Sequence, residues 1–159
     1  MNFDLTGLGG WADLPFFTDT LPGIAARIDG EVLPPTALTF AALRLCQPNA
    51  TRVIIIGQDP YHTPGKADGL AFSIPAGFPG RLDSLGNIFK EIQSDTGEIR
   101  RKTSLEDWAA QGVLLLNTAL TVPPGQPKAH AKLGWSQLVK EVLTRLNDRP
   151  RAAILWGGP

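Results

Sequence analysis

Val53-Ile54-Ile55-Ile56 are four β-branched residues in a row, and they stop at Gly57. Such side chains are stiff about χ1 and pack well on a pleated surface. A run that is apolar at every position, rather than at alternate ones, fits a strand covered on both faces, as in a parallel sheet. Two further runs share this character: Val113 to Leu116, introduced by Gly112, and Ala152 to Trp156. Between them the apolar spacing predicts helices over 37–45 with Thr36 as N-cap, 85–93 with Ser84 as N-cap, 105–111, and 135–146. Residues 70–73 read as short and extended, 75–79 as loop, and 97–103 as a polar connection. Strands alternating with helices predict an α/β fold, a three-layer α/β/α sandwich around a central parallel sheet. The first 36 residues carry Gly9-Gly10, Pro15, Pro22-Gly23 and Pro34-Pro35 and read as an irregular segment of a single 1–159 domain. Trp11, Leu14, Phe16 and Phe17 are expected to pin it to the body.

Composition narrows the function classes without choosing among them. At 159 residues, 43% of them hydrophobic, the chain suits one domain with a real core. Lys plus Arg equals Asp plus Glu at 15 each, so any contact with a polyanion must be local. The one cysteine, Cys46, reads as a buried small residue and points to a reducing, cytoplasmic setting. No stretch reaches the roughly 18 apolar residues a membrane span needs. One Cys and two dispersed His residues make no metal-ligand cluster, and no glycine-rich phosphate cradle is present. Neither a metal nor a cofactor is expected.

The chemistry sits where the strands end. Gly57 permits a tight turn, and Gln58-Asp59-Pro60-Tyr61-His62 follow at once: an amide, a carboxylate, a phenol and an imidazole. The second strand exits into Asn117-Thr118. In open α/β sheets, ligands bind in the crevice beyond the carboxyl ends of the strands. The turns leaving the first two strands are therefore expected to converge on one cavity.

Gly57-Gln58-Asp59-Pro60-Tyr61-His62 and Gly69-Leu70-Ala71-Phe72-Ser73 resemble the classical, most widespread family of uracil-DNA glycosylases. The resemblance runs from about Leu33 onward and includes Ser84 to Glu91, Trp108 to Thr118, Ala129 to Trp135, and Leu155-Trp156-Gly157. The resemblance implies hydrolysis of the N-glycosidic bond between uracil and deoxyribose, on a base taken out of the DNA stack. Asn117 matches the residue that reads the pyrimidine edge, because a held carboxamide can satisfy uracil N3–H and O4 but not cytosine. Tyr61 matches the side chain that refuses the C5 methyl of thymine, and Phe72 the ring on which the base stacks. Gln58 would shape the pocket and present main-chain N–H groups near uracil O2. Asp59 would stabilise the cationic sugar and guide the attacking water. Ser84 matches a serine that holds a DNA phosphate, and His130 falls in the family's Pro/Gln-rich loop, where it reads either as a residue facing the DNA backbone or as a structural hydrogen-bonding histidine. His62 and the run Arg100-Arg101-Lys102 read as structural and as solvated surface. The partner implied is uracil-containing DNA, acted on by a monomer.

The resemblance also has breaks. The family usually carries prolines before the serine, where this chain has Arg81-Leu82-Asp83. In the family a helix, a fourth parallel strand and a His-Pro-Ser-Pro loop follow the Leu-Trp-Gly strand. That loop supplies a histidine that stabilises charge on uracil O2 and a leucine that enters the stack. This chain has two histidines, both inside earlier motifs. The resemblance then implies a C-terminally truncated chain that, made alone, has little or no glycosylase activity. The alternative is a fragment that binds DNA or uracil without efficient cleavage. An unrelated small-molecule hydrolase with a catalytic carboxylate is the third reading, and it predicts no dependence on DNA.

Overall fold

A computed structural model describes residues 1–157. Three strands form at the three apolar runs: β1 (Val53–Gly57), β2 (Val113–Asn117) and β3 (Ala152–Leu155). They make an all-parallel sheet in the order β2-β1-β3. Ile54, Ile55 and Ile56 are all buried, as are Leu114, Leu115 and Leu116. Successive strand side chains point to opposite faces, so both faces of β1 and β2 are covered. That is the α/β sandwich the unbroken apolar runs imply. The register sets Ile55 against Leu115 and, at the carboxyl end, Gly57 against Asn117. β3 lies at the edge of the sheet opposite β2, and its Leu155 is 75% exposed.

The helices that flank the sheet are α1 (Leu21–Arg27), α2 (Ala41–Leu45), α3 (Ser84–Thr96), α4 (Glu106–Ala110) and α5 (Ser136–Arg145). α2 and α4 pack on β2 and on each other. α5 turns Leu138, Val139 and Val142 into the core and packs on a helical turn at Phe16–Thr20. Phe16, Phe17 and Phe40 gather around Trp135, with Phe3 edge-on to it at 5.6 Å. Trp11 is fully buried, and its indole N–H donates to the Cys46 carbonyl at 2.9 Å. Cys46 is itself buried, with its Sγ 3.4 Å from Thr51 Oγ1.

Four local readings need correction. The N-terminal segment is not irregular throughout: α1 forms across Pro22-Gly23. Proline is tolerated in the first helical turn, where its missing N–H has no partner to lose, and burial of Leu21 and Ile24 holds the rest. The helix expected from Ala37 begins at Ala41, after tight turns, and Thr36 does not cap it. Residues 70–73 are a turn, not an extended segment. Ser84 is the first residue of α3 rather than its cap; Asp83 stands at the N-cap position, and α3 runs on to Thr96 before Gly97 ends it in a left-handed conformation.

Leu115 is 1% exposed at the centre of β2, so Leu115→Ala leaves a cavity between layers. The cost should be about 2–5 kcal/mol by denaturant unfolding. A loss below about 1 kcal/mol would mean that this layer is not close-packed.

Candidate active site

The ends of β1 and β2 are stitched together past the last strand residues. Thr118 N–H donates to the Gly57 carbonyl at 3.0 Å, and Ala119 N–H to the Gln58 carbonyl at 2.9 Å. The Thr118 hydroxyl adds a second bond to Gln58 O at 2.8 Å. Gly57 and Asn117 are register partners, so their side-chain positions project on the same face of the sheet. A Cβ on Gly57 would stand 2.4 Å from Asn117 Oδ1 and 3.2 Å from the Phe72 ring. The glycine is therefore required for close approach rather than for a special dihedral angle. Its missing side chain lets an amide and an aromatic ring occupy one corner.

That corner opens into a cavity of about 220 Å³ beyond the strand ends. Asp59, Tyr61, Phe72 and Asn117 line it, and so do Gln58 and Ser84. The expected convergence of the two turns is thus met in space. His62 lies exposed at the same cavity, while its carbonyl accepts from Gly125 N–H at 2.8 Å.

Each polar group is held by its own support. Asp59 Oδ2 accepts from the Lys128 backbone N–H at 2.6 Å, and Lys128 takes a φ of 64° at that point. A carboxylate tethered through one oxygen has a set orientation and a second oxygen free for chemistry. Tyr61 donates its hydroxyl to the Phe72 carbonyl at 2.9 Å. Burial pushes the Tyr61 phenol up, with the nearby Asp83 charge adding to the shift, so it stays a neutral donor. Phe72 has a φ of 67°, a left-handed conformation uncommon for a residue with a Cβ. Asp68 braces the turn that carries it, accepting from Leu70 N–H at 3.1 Å and from the Ser73 hydroxyl at 2.6 Å. The Ser73 oxygen accepts from Leu105 N–H at 2.9 Å, and Ala71 N–H reaches the β2 carbonyl of Leu115 at 3.1 Å. Burial raises the Asp68 carboxyl above its usual range, and the Ser73 bond opposes that. Gly69 in the same turn has a φ of 92°, and a Cβ there would overlap the Leu38 carbonyl at 2.0 Å. Among the described residues, no protein group hydrogen-bonds the Asn117 carboxamide.

Three participants had no role in the sequence reading. Trp156, at the exit of β3, lines the cavity and meets Phe72 edge-on at 5.6 Å. Its position at a strand exit, matching those of Gly57 and Asn117, was the available signal. Lys66 and Asp68 lie in a Gly/Ala-rich loop whose sequence carries no sign that it is buried. His130, by contrast, does not line the cavity: its Nδ1 is 2.9 Å from Thr121 Oγ1, which also accepts the Trp135 indole N–H at 3.0 Å. Arg100 is not a solvated residue; it forms a two-pronged pair with Asp107 at 2.7 Å to each oxygen and lies over the Trp108 ring. Among the described residues no three His, Cys, Asp or Glu side chains group as metal ligands.

A family model described as the uracil DNA glycosylase superfamily matches residues 43–159. A curated uracil-DNA glycosylase of Ruegeria sp. (strain TM1040) is 48% identical over 153 residues, covering 94% of this chain and 65% of the relative. One from Coxiella burnetii (strain Dugway 5J108-111) is 45% identical, covering 96% of this chain and 69% of that one. The crystal structure of mimivirus uracil-DNA glycosylase superposes with a TM-score of 0.82 at 23% identity, over 97% of this chain and 63% of that one, which shows a shared fold. The chain belongs to the uracil-DNA glycosylase superfamily. It spans 65% of the Ruegeria relative's length and 63% of the mimivirus chain.

Two measurements follow from the geometry. Gly57→Ala must displace Asn117 or Phe72, so it should weaken recognition of a ligand seated in this cavity by about 10-fold or more while the fold survives. Unchanged recognition would mean that this corner does not touch the ligand. Burial lowers the His130 pKa below its ordinary 6.5, so the folded state holds that proton less readily than the unfolded chain. Its stabilising contribution is complete above about pH 6.5 and fades as the pH falls through the lower folded pKa. His130→Gln keeps an acceptor for Thr121, so its denaturation midpoint should fall less between about pH 7.5 and pH 5 than that of the unaltered chain. Equal slopes would remove His130 from the acid response.

Proposed function

We propose that this chain is a base-excision repair enzyme: it hydrolyses the N-glycosidic bond joining uracil to deoxyribose in DNA, releasing uracil and leaving an abasic site. The observation that carries the reading is the shared corner above Gly57, where the Asn117 amide and the Phe72 ring meet at the wall of a cavity that also holds Asp59 and Tyr61. An amide to read an edge, a ring to stack on and a tethered carboxylate are what a flipped pyrimidine nucleotide requires.

The roles follow from chemistry. Asn117 reads uracil N3–H and O4 and leaves cytosine mispaired, at about 1–3 kcal/mol per unsatisfied group. Phe72 stacks the base, and Trp156 backs its ring edge-on. Tyr61, held through its hydroxyl, faces C5 and excludes thymine. Gln58 shapes the base pocket near uracil O2. As the bond breaks, the sugar becomes cationic, and Asp59 stabilises that charge and orients water toward C1′. Ser84, at the start of α3, takes a DNA phosphate, as helix N-termini do. The protein acts as a monomer in the cytoplasm, a setting supported by its one unpaired cysteine. Nothing in the comparisons favours the binding-only alternative.

Product decides between this reading and the weakly active fragment that the resemblance also implies. A single-stranded oligonucleotide with one uracil should yield free uracil and an alkali-labile abasic site, and Asp59→Asn should lower that rate by about 100-fold or more. Equal affinity for uracil and thymine oligonucleotides, with no uracil released, would refute the reading. Tyr61→Ala should admit thymine, and Asn117→Asp should shift the uracil/cytosine preference. Refusal of thymine by Tyr61→Ala would mean that another group guards C5.

A further inference from the structure

Lys66 is 4% exposed although it sits in a connecting loop. Lysine is almost never buried to that degree without a partner. Its ammonium donates to Asp83 Oδ2, lies 4.5 Å from the centre of the Tyr61 ring, and is 6.0 Å from that of Phe78. The cavity lining includes the neighbouring Ala67 but not Lys66, so the cation does not meet the base.

Asp83 is unusual in its own right. It holds the N-cap position of α3 with φ 49° and ψ −121°, yet its side chain makes no capping bond to the helix. The carboxylate turns to Lys66 instead, with the exposed Arg81 guanidinium at 4.0 Å and His62 as further basic neighbours. Lys66 holds the Asp83 carboxyl below its usual range. In this chain Arg81-Leu82-Asp83 lead into Ser84 without a proline to stiffen them. An ion pair anchored on a buried cation supplies that stiffness by another route. The same cation meets the face of Tyr61, whose hydroxyl is bonded to Phe72. A continuous set of contacts therefore runs from the start of α3 through Lys66 and Tyr61 to Phe72.

We infer that Lys66 is a positioning residue: its buried ammonium joins Asp83 to the Tyr61 ring, so that the start of α3 and the wall facing C5 of the base are set as one unit. This rests on the glycosylase reading above. It gives Asp83, which lies outside the cavity lining, an influence on which base is accepted.

The test measures binding of the 159-residue chain to two fluorescent single-stranded oligonucleotides that differ only in one central uracil or thymine. Loosening the start of α3 alone would weaken both complexes alike, so the uracil/thymine affinity ratio isolates Tyr61. Asp83→Asn, a change on a half-exposed side chain, should lower that ratio by about fivefold or more, and so should Lys66→Met. In the double variant the ratio should fall no further than in Lys66→Met alone, because the cation is the link. An unchanged ratio in Asp83→Asn, or an Asp83→Asn effect that persists undiminished without Lys66, would overturn the inference. Should Lys66→Met fail to fold, the single Asp83→Asn variant decides. If the unaltered chain binds both oligonucleotides equally and releases no uracil, the glycosylase reading itself fails, and that result is distinct from discrimination that Asp83 does not affect.

Discussion

A side chain at position 57 and a pocket at the end of the sheet exclude one another, because the space a Cβ would fill is taken by Asn117 Oδ1 and the Phe72 ring. Everything at the site is arranged around that absence. The parallel pairing of β1 and β2 brings the two exits to one level, and the register sets residue 57 opposite residue 117. Two bonds past the strand ends, from Thr118 and Ala119, keep the exits from splaying. The sheet thus acts as a rigid frame, and the chemistry hangs from its rim.

The second requirement is a ring held at the right height beside that glycine. Phe72 meets it in a backbone conformation its side chain disfavours. Left-handed residues of this kind persist only when their surroundings over-determine them, and they gather at functional sites. Here the surroundings are Asp68 on one side and Tyr61 on the other. One gathers the turn through Leu70 and Ser73, and the other bonds the Phe72 carbonyl directly. Tyr61 therefore both lines the cavity and fixes the Phe72 turn. A buried cation, Lys66, lies over the same ring.

Much of the frame was legible in the residues. The unbroken β-branched run read as a strand covered on both faces, and the glycine that ends it marked the rim. Asp59, Tyr61 and Asn117 stood within a few residues of such an end, so proximity along the chain carried their placement. Phe72 was legible from the resemblance, but its conformation was not, because the Asp68 carboxylate that bends its turn is a contact of tertiary origin. α1 was obscured by Pro22-Gly23, a pair that punctuates most chains but fits the first turn of a helix whose far side is buried. Ser84 was read as a cap from residue type alone, whereas α3 begins at Ser84 and Asp83, ion-paired to Lys66, stands at the N-cap position.

The sequence by itself determined the class of fold, the strand exits and the side chains presented there, since these depend on local periodicity and on residues adjacent in the chain. Only the tertiary structure decided which exits share a cavity, that Trp156 backs Phe72, that His130 turns to Thr121, and that Lys66 is buried between Tyr61 and Asp83. The physical reason is one of range. Strand propensity and turn chemistry act between neighbours, while the burial of a charge and the meeting of two rings depend on residues brought together only when the layers pack.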